Sequence, residues 1–66
     1  MIVKIQKSLN DNSMLIYSED REIMYQDTLD PDIDKVLGNK CKGYFQAELD
    51  KNNQLVIGKK IRNQNW

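Results

Sequence analysis

The sequence predicts a single small α+β domain, residues 1–66, with the element order β-β-β-α-β-β: a small antiparallel sheet with one short helix packed on it. Three observations lead there. Apolar residues fall in short runs, several of which alternate with polar ones, as half-buried strands require. Clusters of turn formers separate these runs by only a few residues, so successive strands pair antiparallel. One segment, residues 30–38, carries a helix start, an apolar face and a helix stop.

Residues 2–9 read as the first strand, with Val3, Ile5 and Leu9 on one face and Lys4, Gln6 and Ser8 on the other. Asn10-Asp11-Asn12-Ser13 is a turn. Met14-Leu15-Ile16-Tyr17 is apolar on both faces, which suits a central strand. Ser18-Glu19-Asp20-Arg21 turns again, and Ile23-Met24-Tyr25 forms a short third strand. The first three elements thus make a meander. Asp30 then suits an N-cap, and Pro31 suits the first helical position, where its missing N–H costs nothing. Ile33, Val36 and Leu37 line up on one apolar face, and Gly38 is placed to end the helix in the left-handed conformation. Two turns of helix are too few to stand alone, so this one must dock on the sheet. In residues 42–49, Phe45, Ala47 and Leu49 point inward while Tyr44, Gln46 and Glu48 point outward. Asp50-Lys51-Asn52-Asn53 makes a hairpin turn into a fifth strand that starts at Leu55 and extends to Ile61. Gly58 within it marks a bulge or a close backbone approach. A strongly curled half-barrel is the other geometry this order permits.

Size limits what such a domain can do. A chain of 66 residues buries only about 60% of the surface its unfolded form exposes, so its core is marginal. Cys41 is the only cysteine and there is no histidine, which excludes an intrachain disulfide and argues against zinc. Oligomerisation is the support that stays open, and a homodimer is expected. No cofactor is expected. No apolar stretch approaches the roughly 20 residues that span a bilayer. Met1-Ile2-Val3-Lys4 lacks the apolar run of a signal peptide, and a lone thiol without an export signal predicts a reducing, cytoplasmic setting.

The net charge is zero, yet the signs are segregated. Lys4 and Lys7 give residues 1–10 a charge of +2. Residues 11–34 carry Asp11, Glu19, Asp20, Glu22, Asp27, Asp30, Asp32 and Asp34 against Arg21, for −7. Residues 35–66 carry Lys35, Lys40, Lys42, Lys51, Lys59, Lys60 and Arg62 against Glu48 and Asp50, for +5. Segregation of this kind favours association with a charged partner or with a second copy.

Constellations for catalysis are nearly absent. Without histidine the commonest general base is missing, and the three isolated glycines make no phosphate loop. The expectation is a protein that is not an enzyme. Asp30-Pro31-Asp32-Ile33-Asp34 matches half of a calcium loop, but Lys35 and Cys41 stand where that loop needs Gly and Glu. Cys41, between Lys40 and Lys42, reads as a small, partly buried residue at a strand start rather than as a reactive thiol. Lys59, Lys60 and Arg62, with Lys40 and Lys42, are the candidates for a nucleic-acid surface, with Tyr44 and Trp66 as stacking platforms. The pI near 6.1 argues against it. Conversely, the acidic stretch is a candidate mimic of phosphate, facing a basic groove of another protein. Trp66 either packs back on the domain or anchors a partner.

Met1-Ile2-Val3-Lys4-Ile5-Gln6-Lys7-Ser8-Leu9, Met14-Leu15-Ile16-Tyr17-Ser18-Glu19-Asp20-Arg21 and the closing Asn63-Gln64-Asn65-Trp66 resemble a family of small uncharacterised bacterial and phage proteins. In that family the second segment usually reads Tyr-Asn-Glu-Asp-Arg and the end Gln-Asp-Trp, where this chain has Ser18 and Asn65. Gly43-Tyr44-Phe45-Gln46-Ala47-Glu48 resembles its aromatic strand. The resemblance implies a compact bacterial or phage-borne protein, and sets Glu19, Asp20, Arg21 and Trp66 within the family pattern. It implies no activity. The expectation is a non-enzymatic interaction protein with a protein partner or a second copy. The alternatives are a nucleic-acid module using the basic half and an acidic-surface inhibitor of a host nucleic-acid or defence enzyme.

Overall fold

The structure, a computed structural model, describes residues 1–8, 10–20 and 22–62. Among them are β1 (Ile2–Ser8), β2 (Ser13–Tyr17), β3 (Ile23–Thr28), α1 (Pro31–Leu37), β4 (Lys42–Leu49) and β5 (Leu55–Ile61). This is the expected order. The five strands form one antiparallel sheet in the spatial order β3-β2-β1-β4-β5, so β2 is an interior strand, paired on both sides as expected, and β1 is the middle one. The chain must therefore cross from one edge of the sheet to the far side of β1, and α1 makes that crossing over one face. The expectation for Leu9 falls outside the described residues, as do those for Arg21 and Trp66.

Turn chemistry sets the hairpins. Asn12 and Asn53 take positive φ, 55° and 66°, which asparagine tolerates better than most residues. Asp50 Oδ1 accepts from the backbone N–H of both Asn52 and Gln54, at 2.8 and 2.9 Å, and so closes the last hairpin. In the first, the Ser13 hydroxyl donates to Asp11 Oδ1 at 2.7 Å. That bond, seconded by Ser8, holds the exposed Asp11 carboxyl below its ordinary value.

The helix has the ends its sequence specifies. Asp30 Oδ1 accepts from the Asp32 N–H at 2.8 Å, and Pro31 opens the first turn. Gly38 ends it with φ 60°, but its ψ of −122° lies far from the left-handed helical value of roughly +47°. Its N–H donates to the Asp34 carbonyl at 2.9 Å, so the cap is made while the chain turns sharply towards β4.

Ile33 and Leu37 pack into a core of Val3, Ile5, Met14, Ile16, Leu29, Phe45 and Ala47. These strand residues are set on one face by the registers Ile5↔Ile16 and Val3↔Phe45. Helical periodicity places Val36 beside Ile33 and Leu37, but it is 53% exposed. A single sheet under a two-turn helix covers only a narrow stripe, and i+3 from Ile33 falls beyond its edge. Lys7 corrects the polar side of the reading. It shares the core face with Val3 and Ile5, and its side chain is 5% exposed. Its ammonium donates to Asp34 Oδ1 at 2.6 Å and to the Gly38 carbonyl at 2.8 Å. The lysine thus ties the C-terminal half of α1 to the central strand, where its charge also suits the helix dipole.

Gly43 decides how closely the helix sits. A Cβ placed there would lie 2.7 Å from Leu37 Cδ2 and 3.2 Å from Lys60 Cε. Gly43→Ala should therefore cost about 1–3 kcal/mol by overpacking. Thermal melts of the variant check this, and an unchanged midpoint would mean that α1 rides higher on the sheet.

Both outer strands carry bulges. Met24 is the extra residue of β3, between Ile23, opposite Tyr17, and Tyr25, opposite Ile16. On β5, Gly58 and Lys59 together stand against Gln46 alone, and a Cβ on Gly58 would come within 3.3 Å of the Gln46 carbonyl oxygen. Bulges bend and twist the strands that carry them. The sheet curls as a result. In a flat five-stranded sheet the edges would stand about 19 Å apart, yet here Tyr25 and Asp27 of β3 line the same cavity as Leu55 and Ile57 of β5.

Candidate functional site

The curl creates a cleft of about 540 Å³ on the helix side, a size that suits ligands and partner side chains. Its floor is apolar, from Met14, Ile16, Ile33, Leu55 and Ile57, and its rim is polar, from Tyr25, Asp27, Asp30, Asn53 and Gln54. Strand alternation puts Asp27 and Tyr25 on this side, since they pair with Met14 and Ile16 of the core. Asp30 arrives there as the helix cap. A second cavity, of about 290 Å³, continues between α1 and β5 and is lined by Asp32, Val36, Phe45, Gly58, Lys59 and Lys60. The two share Asp30, Ile33 and Ile57, so they form one groove.

Carboxylates line both parts of the groove, Asp27 and Asp30 in the first cavity and Asp30 and Asp32 in the second, and Lys59 and Lys60 line the second alone. Neither Asp27 nor Asp30 is buried in apolar surroundings: both are exposed, and each has one oxygen accepting from a nearby backbone N–H, of Thr28 at 2.7 Å and of Asp32 at 2.8 Å. Among the described residues no group of three or more Cys, Asp or Glu side chains is placed to hold a metal ion. No helix among them is long and apolar enough to cross a membrane.

The expected site residues are scattered by the fold. Glu19 and Asp20 are exposed in the β2–β3 turn, which the Ser18 N–H closes by donating to the Glu22 carbonyl at 2.9 Å. Arg21 and Trp66, and with them any contact between that turn and the chain's end, lie outside the described residues. Tyr44 does point away from the helix, but it is only 5% exposed, which leaves no open ring face for a base. Lys42 lies opposite Gln6 on the face away from the helix, whereas Lys60 lies opposite Phe45 on the helix face, and its stem reaches Gly43. Arg62 is exposed just past β5. The lysines and Tyr44 thus do not share one surface. Cys41 is exposed rather than partly buried, because β4 begins one residue later.

Sequence reasoning missed Asp27, Tyr25 and Asp30 as neighbours across a cleft from β5. Extending β3 by its alternation to Asp27 was the one signal available. Their approach to β5 depends on the curl, which no local pattern encodes. No family model matches this chain, and no curated protein or solved structure matches it either.

Proposed function

We propose that this is a non-enzymatic interaction protein, of bacterial or phage origin, that works as a homodimer. One observation carries this reading: large apolar side chains stay exposed on a domain whose core is already small. Ile23, Tyr25, Val36, Leu49 and Val56 are all exposed, and Tyr25 and Val36 line the groove. Covering such residues with another protein surface recovers hydrophobic free energy that folding alone leaves unused, at about 25 cal/mol per Å². The cleft supports binding better than catalysis. Its two carboxylates face water, whereas general-acid work relies on a carboxyl held in an apolar surround.

A dimer ties stability to concentration. The melting midpoint should rise as protein concentration is raised from micromolar to about a hundred micromolar. Sedimentation over the same range should show the dimer. A monomer throughout, with a constant midpoint, would overturn the reading.

A further inference from the structure

We draw no further inference here: the strongest candidate, the apolar-floored groove that runs from the cleft between β3 and β5 to the space between α1 and β5, carries nothing because nothing in the structure shows what covers it.

Discussion

Phe45→Ala should leave the domain largely unfolded at 25 °C. Phe45 is 2% exposed and lies on β4, opposite Val3 and beneath the helix side of the sheet. Truncating a buried phenylalanine costs about 3–5 kcal/mol, the transfer term plus the cavity it leaves. A single core in a chain this short supplies rarely more than about 3–5 kcal/mol in all. The two figures match, so no reserve remains. Phe45→Leu keeps most of the volume and should cost less than about 1.5 kcal/mol. Urea denaturation followed by circular dichroism, at one fixed protein concentration, distinguishes the two. A Phe45→Ala variant with a midpoint near that of the parent would show that the packing under α1 contributes little.

The second large effect is expected at Asp34, whose role is the ion pair with Lys7. Asp34→Ala should cost about 2–3 kcal/mol, because it leaves the buried Lys7 ammonium with the Gly38 carbonyl and without its counter-charge. Lys7→Met should cost far less. It fills the same space, removes the buried charge together with its need for a partner, and leaves Asp34 where it is 48% exposed and can be hydrated. The double variant Lys7→Met/Asp34→Ala should then resemble Lys7→Met. This non-additivity is the sign of a pair that interacts directly. Equal losses in the two single variants would mean that Lys7 contributes through its packing alone.

The elements of this fold were legible because each is written locally. Asp30, Pro31 and Gly38 mark the helix ends whatever surrounds them, since capping and φ preference act within a few residues. Val3 and Ile5, like Phe45 and Ala47, alternate with polar neighbours because each strand has one buried face. Other features could not be read this way. Lys7 alternates in phase with Val3 and Ile5, but a lysine at that place signals exposure unless one knows that Asp34 and Gly38 lie above it. Alternation puts Tyr44 on the outward face, where it is found, but a sheet face can bury a ring without a helix to cover it.

The sequence by itself determined the order of elements, the helix and its caps, the turn residues and most of the core, because propensity, capping and periodicity are short-range. The tertiary structure alone decided that β1 is central, that Val36 is left outside the core, and that Asp27 on one edge strand faces Ile57 on the other. Those facts depend on strand order, on the height at which Gly43 lets Leu37 settle, and on the curl produced by two bulges. Each is a distance between residues far apart in the chain, set by packing of the whole sheet. The groove is made of such distances, which is why its residues could be named from the sequence only one by one.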